Sequence, residues 1–295
     1  MTSVTQLAVV TPSFGPDAEL FADLHASVLE HTTDDTVHHV IVPPRDKGLF
    51  ARYAGARCRI WTEPELLPRR YARVPRSGLW VNTMRPWPPI RGWVIQQALK
   101  LSATARIEAD AVLIADSDIV LVRPVDVAAF RTDGRLSLHR AEYAVHAGMT
   151  RHVRWHQVAR DLLGLPDAPP PPLHDYVSSL TFWDPRVVRD MRTRIQQTTG
   201  RHWLDAFTSR LHVSEFILYG VYVDEVHSLA DPPPANTAIC HNYWDRTPLD
   251  HDGALAFADR LNPEAIGMMI SAKSGTPLPV RQAAVRRCAE VVSGR

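Results

Sequence analysis

Apolar residues fall in short runs divided by polar, proline-rich stretches, and the period of the pattern changes along the chain. Residues 7–11 form a compact apolar run closed by Pro12-Ser13-Phe14-Gly15-Pro16, which predicts a buried strand with a sharp exit. Leu20, Leu24 and Leu29 then recur at helical spacing, with Ser13 or Asp17 placed to cap that helix. Residues 38–42, ended by Pro43-Pro44, and residues 59–61 read as second and third strands, with Asp46 capping a helix between them. Strands alternating with helices predict a layered, mostly parallel α/β sheet.

Residues 62–90 carry six prolines and no period, and read as loop. Residues 92–103 read as an amphipathic helix, with Val94, Ala98 and Leu101 on one line and Gln96 and Lys100 on the other side. A helix at 153–163, a proline-rich loop at 166–172, a strand at 176–183, helical or mixed segments at 186–198 and 214–222, and a strand at 238–244 follow. The tail from residue 250 reads as helical. The predicted fold is an open mixed Rossmann-type sheet flanked by helices. Residues 1–250 would form one domain, with a nucleotide-binding half to about 125 and an acceptor half after it. Residues 251–295 would be a peripheral helical tail.

One run carries chemistry. Ala111-Val112-Leu113-Ile114-Ala115 is apolar enough for a strand buried on both faces, and it ends in Asp116-Ser117-Asp118. Residues i and i+2 of a strand share a face, so the two carboxylates would project together. Held side by side they repel and raise each other's pKa, and a divalent cation is the usual relief.

Composition narrows the classes. The net charge is +1 on 295 residues, so no global field favours nucleic acid or an anionic membrane. Cys58, Cys240 and Cys288 lie far apart and form no Cys-x-x-Cys pair, which argues against a zinc ribbon and for a reducing compartment. The first residues lack the basic segment of a signal peptide, and no apolar run is long enough to span a bilayer. A cytoplasmic location is expected.

Four segments together resemble the GT-A glycosyltransferases, enzymes of nucleotide-activated sugars. They are Val10-Thr11-Pro12-Ser13-Phe14 before a helix, the helix Gly92-Trp93-Val94-Ile95-Gln96-Gln97-Ala98-Leu99-Lys100-Leu101, the acidic segment running on to Arg123-Pro124, and the late His241-Asn242-Tyr243-Trp244-Asp245. The layout is also similar to a poorly characterised subgroup of glycosyltransferase-like proteins. The resemblance implies a GT-A-like fold and a UDP-sugar donor. It implies Mn²⁺ or Mg²⁺ held by Asp116, Asp118 and His241. It places Thr11, Pro12, Ser13, Phe14 and Asp46 at base and ribose. Arg91, Gln96, Gln97, Lys100, Asp116 and Ser117 would meet diphosphate or sugar. Glu215, then Asp175, would be the base that deprotonates an acceptor hydroxyl, with inversion at the transferred carbon.

Plainer readings stand beside these: a turn at Thr11–Phe14, an N-cap at Asp46, a solvated helix face for Gln96 and Lys100, and a helix-start acid at Glu215 after Ser214. The expected activity is metal-dependent transfer of a sugar from a UDP-sugar to the hydroxyl of a small-molecule or glycan acceptor. A nucleotidyltransferase or phosphohydrolase could use the same carboxylates, although the chain has no phosphate-binding glycine loop. A non-catalytic glycan-binding module, using Trp80, Trp87, Trp93, Trp183 and Trp244, is the reading from another class.

Overall fold

The computed structural model describes residues 6–227, 233–237 and 239–294. Its centre is a five-stranded sheet. Strands β1 (Leu7–Pro12), β2 (Val37–Val42) and β3 (Cys58–Thr62) pair in parallel, with helix α1 (Ala18–His31) between the first two. Residues 62–90, read from sequence as loop, instead include a three-stranded antiparallel sheet: β4 (Tyr71–Arg73), β5 (Leu79–Asn82) and β6 (Arg85–Arg91). Three prolines in β6 and its exposed surface hide the alternation that would mark a strand. Helix α2 (Gly92–Thr104) leads into β7 (Ala111–Ala115), which lies parallel to β1 on the side away from β2.

Strand β8 (Ile119–Leu121) follows the acidic segment. Then come β9 (Ala141–Val145), α3 (Thr150–Leu163), β10 (Leu173–Asp175), β11 (Leu180–Trp183), α4 (Pro185–Thr199), α5 (Trp203–Thr208) and α6 (Glu215–Tyr222). Strand β11 closes the large sheet antiparallel to β7, so the order is β11-β7-β1-β2-β3. The sheet is therefore mixed and open, as the sequence predicts. Helices cover both faces because the strands are apolar on both. Ala8, Val10, Val112 and Ile114 pack with α2 and α6, whereas Leu7, Val9, Leu113 and Ala115 pack with Leu24 and Val28 of α1.

The remaining elements are β12 (Cys240–Tyr243), α7 (His251–Asp259), β13 (Gly267–Ile270) and α8 (Leu278–Ser293). The tail is not a peripheral helical appendage. Strand β13 sits between β12 and β8 in a second, three-stranded sheet. Gly267 is needed there, because a Cβ at that position would lie 2.8 Å from Leu180 Cδ2.

The chain leaves β3 and crosses over the sheet to place β7 on the far side of β1. That reversal opens a crevice beyond the carboxyl ends of β1 and β7, the place where open α/β sheets take ligands. Among the described residues, no helix is long and apolar enough to cross a membrane.

Candidate functional site

Asp116, Ser117 and Asp118 form a tight turn between β7 and β8, closed by Ile119 N–H donating to Asp116 O at 3.2 Å. The carboxylates therefore do not continue the strand. A turn lets each find its own partner, and they diverge accordingly. Asp116 Oδ1 lies 2.9 Å from Lys100 Nζ on α2. That ammonium is its ion-pair partner, yet the oxygen, although buried, takes no well-directed hydrogen bond. The Asp116 side chain as a whole is 40 % exposed, so the rest of the carboxylate opens to the crevice. Asp118 Oδ2 accepts 2.7 Å from Ala272 N–H, in the loop after β13. The hydroxyl of Ser117 is buried and donates to Ser13 Oγ at 2.9 Å, with Pro12 O at 3.3 Å. The acidic turn is thus fastened to the exit of β1.

The electrostatics of this corner are short of positive charge. Burial, then the neighbouring Asp116, pushes the Asp118 carboxyl up to about 6, against the Ala272 hydrogen bond and Arg281. Burial and Asp116 also raise Asp17, which Arg281 opposes. Three carboxyl groups share this corner with Arg281 and with Lys100, and Lys100 carries a second commitment.

That second commitment is Glu215, the first residue of α6. Lys100 Nζ lies 3.4 Å from Glu215 Oε1, with the two side chains 5 % and 4 % exposed. Burial works against the lysine's charge, but Asp116 and Glu215 hold its pKa above the ordinary value. Burial likewise raises Glu215, which Lys100 opposes. Glu215 N–H donates to Gln97 Oε1 at 2.9 Å, and Ser214 caps the helix by accepting from Ile217 N–H. Glu215 is thus a buried counter-ion, closed to an acceptor hydroxyl, and the expectation that it is the catalytic base is corrected on that ground.

A cavity of about 260 Å³ adjoins the turn at the exit of β1. Pro12, Ser13, Phe14 and Gln96 line it. Arg73 and Trp80, the latter expected only as an aromatic of a glycan-binding module, line it too, as does Glu63, which the sequence reading missed. Arg73 Nη2 pairs with Glu63 Oε1 at 2.5 Å, and its guanidinium lies 5.0 Å from the Trp80 ring. Trp80 arrives on β5, in the segment that the sequence reads as loop. Asp46 is beside this region without capping a helix. Its Oδ2 accepts 2.9 Å from Gly15 N–H and so ties the exit of β2 to that of β1.

Several expected residues serve elsewhere. Thr11 is buried, and its hydroxyl meets His38 Nε2 at 2.9 Å beneath the sheet edge. Gln97 is buried and bonded to Trp93 O as well as to Glu215. The Arg91 guanidinium donates to Leu211 O. Asp175 Oδ1 accepts from Val177 N–H at 3.0 Å, and its Oδ2 lies 3.7 Å from His152.

His241 does not reach the acidic turn. Its Nε2 donates to Phe257 O at 3.0 Å, and its ring stacks on Phe257 at 4.2 Å, on the α7 side of β12. Its neighbours on the strand take the opposite face, where Asn242 meets Ser179 and Cys240 feels the charge of Asp118. Among the described residues, no three His, Cys, Asp or Glu side chains are gathered as a metal-ligand set. The expected triad of Asp116, Asp118 and His241 is corrected accordingly.

Residues 10–258 match the family of unknown function DUF6492. The chain belongs to that family. No curated protein matches it. Among solved structures, an active-site mutant of LgtC is similar over 97 % of this chain and 95 % of its own, at 12 % identity and a TM-score of 0.46.

Proposed function

We propose that this member of the DUF6492 family is a glycosyltransferase that takes a UDP-sugar at the crevice between β1 and β7. The observation that carries the reading is the bond from Ser117 to Ser13. It couples the acidic turn to the cavity at the one edge of the sheet where topology favours a ligand. The cavity beside Trp80 and Arg73, with its aromatic wall and about 260 Å³, would take the base and ribose. The acidic turn suits the diphosphate end, provided that a cation stands between carboxylate and phosphate.

The residues present fit such a cation through a partial shell. Asp116 Oδ1 is a buried acceptor without a directed donor, and burial, then the charge of Asp116, raises the Asp118 carboxyl to about 6 in spite of Arg281. Two carboxylates are a set that Mg²⁺ or Mn²⁺ accepts when phosphate oxygens and water complete the shell. A cation bound there would neutralise the charge that gathers on a departing diphosphate. The chain's own contributions are the buried Lys100, which fixes Asp116, and the Ala272 amide, which fixes Asp118. Arg281 moderates the field at Asp17 and Asp118.

Calorimetric titration with UDP, with and without Mn²⁺, tests the reading. Binding that strengthens at least about tenfold with Mn²⁺, and loses that gain in Asp118→Asn, is the expected result. Equal affinity in both conditions, or none in either, overturns it. Release of pyrophosphate in place of UDP from a nucleotide sugar would replace it with nucleotidyl transfer.

A further inference from the structure

A second cavity, of about 500 Å³, lies in the other half of the molecule, between β9, β10, α3 and the end of α6. Two guanidiniums and three carboxylates line it. Arg140 pairs with Asp224 at 2.8 Å and with Glu142 at 3.8 Å, and Arg160 pairs with Glu225. Both arginine side chains are about nine-tenths buried. Tyr176 forms part of the wall, and its hydroxyl donates to Asp224 Oδ2 at 2.7 Å. The Tyr176 ring packs so closely on α6 that a Cβ at Gly220 would lie 2.1 Å from it.

At the mouth stands Tyr143. Its φ is +54°, a left-handed backbone conformation that a bulky side chain rarely adopts. It sits in the irregular part of the β9–β10 ladder. Its N–H donates to His174 Nδ1 at 3.1 Å, and the two rings lie 4.7 Å apart. This backbone presents a large ring that is 64 % exposed, an arrangement that packing does not explain and that is usual at ligand sites.

The lining selects a chemical class. An anion is disfavoured, because the guanidiniums are already paired and the carboxylates outnumber them. A purely apolar ligand would strip water from these charged edges and return no hydrogen bonds. What remains is a neutral ligand with many hydroxyls and an apolar C–H face: the hydroxyls for the fixed carboxylate and guanidinium edges, the C–H face for Tyr143. That is a sugar.

A chain of side-chain contacts, running through the buried Trp155, links the walls of this cavity and the cleft. Trp93, 36 % exposed, stands in the first turn of α2 beside Gly92 and Gln96, which line the cleft. It stacks on Trp155 at 5.7 Å, and Arg151 lies against both rings. His152 meets Trp155 at 4.6 Å and Asp175 at 3.7 Å, and Asp175 adjoins His174 beneath Tyr143. We propose that the Tyr143 cavity holds a neutral oligosaccharide, with the partly exposed Trp93 as a contact on the cleft side. It is the acceptor if the glycosyltransferase reading, on which that role rests, is right.

The experiment is a printed glycan array followed by calorimetry with the best-bound neutral oligosaccharide, on wild type, Tyr143→Ala, Tyr143→Gly and Asp118→Asn. Wild type should bind one family of neutral glycans, and both Tyr143 variants should lose about tenfold or more in affinity. Tyr143→Gly also relieves the backbone, so its melting temperature should hold or rise, which separates a lost contact from a lost fold. No glycan bound by wild type, or unchanged affinity in both Tyr143 variants, overturns the proposal. UDP binding is read separately on the same proteins. Glycan binding retained in Asp118→Asn, or in a wild type that ignores UDP, supports this site even where the donor reading fails.

Discussion

Lys100 Nζ and Asp116 Oδ1 lie 2.9 Å apart, although the lysine is buried on α2 and the aspartate stands at the rim of the crevice. The lysine is thus a strut: it sets the acidic turn from below and is closed to a diphosphate above. Removing one partner of a buried ionic group costs about 3–5 kcal/mol, because the charge left behind keeps no compensation. Lys100→Met should lower stability by roughly that amount in urea unfolding at pH 7. Lys100→Met combined with Glu215→Gln should recover part of the loss. A single variant as stable as wild type would show that the three groups are not coupled.

Ser117 tests the connection between turn and cavity. Ser117→Ala removes a buried hydroxyl, worth about 1 kcal/mol of stability. The expected signature is a small drop in melting temperature with a larger, severalfold loss of Mn²⁺-dependent UDP affinity by calorimetry. A proportionate change in both would mean that the bond only holds the fold.

Gly220 tests the packing of α6 on Tyr176. A methyl group there must displace a ring that is 4 % exposed and tied to Asp224. Gly220→Ala should destabilise by about 1–3 kcal/mol through overpacking, although alanine is the better helix former. Thermal unfolding gives the answer, and a stabilised variant would refute the fit.

One part of the pH dependence of stability should come from His38 and His39 on β2 and His25 on α1. Burial, then Arg59, lowers His39 to about 4, and its Nδ1 accepts the Trp61 indole N–H at 3.0 Å, which requires a neutral ring. Burial also lowers His38 and His25, whose Nδ1 atoms lie 3.1 Å apart and so share a single bridging proton. Above about pH 6.5 these rings are neutral in both folded and unfolded chains and add no slope. As pH falls from about 6.5 towards 4, the unfolded chain binds protons that these folded rings refuse, so their contribution to stability should fall across that window, opposed by Asp118, whose carboxyl, raised to about 6, takes up its proton first in the folded chain. Urea midpoints measured between pH 8 and 4 check this. His39→Asn, which keeps an acceptor for Trp61 but cannot titrate, should flatten part of the slope.

The central strands and α2 were legible because their apolar runs are continuous and their exits are marked by proline or aspartate. The three-stranded sheet of β4, β5 and β6 was not, since β4 and β5 are short and β6 is exposed and carries prolines. At the site, the acidic pair was visible as charge at the end of an apolar run. Its fixation was not, because Lys100 and Glu215 are 115 residues apart and no local period encodes their meeting. His241 illustrates a parity error: on a strand, one residue of shift exchanges faces, and here Cys240 and Asn242 hold the face expected for the histidine. The Tyr143 cavity was missed because it depends on a single left-handed residue that is not glycine.

Strand β13 and the loop after it reach back to residues near the middle of the chain, and the Ala272 amide is what seats Asp118. During synthesis the crevice must therefore wait for some 150 residues beyond its own acids to emerge from the ribosome. A chain halted before β13 would carry both aspartates in a turn with nothing to hold the second, and would be born disarmed.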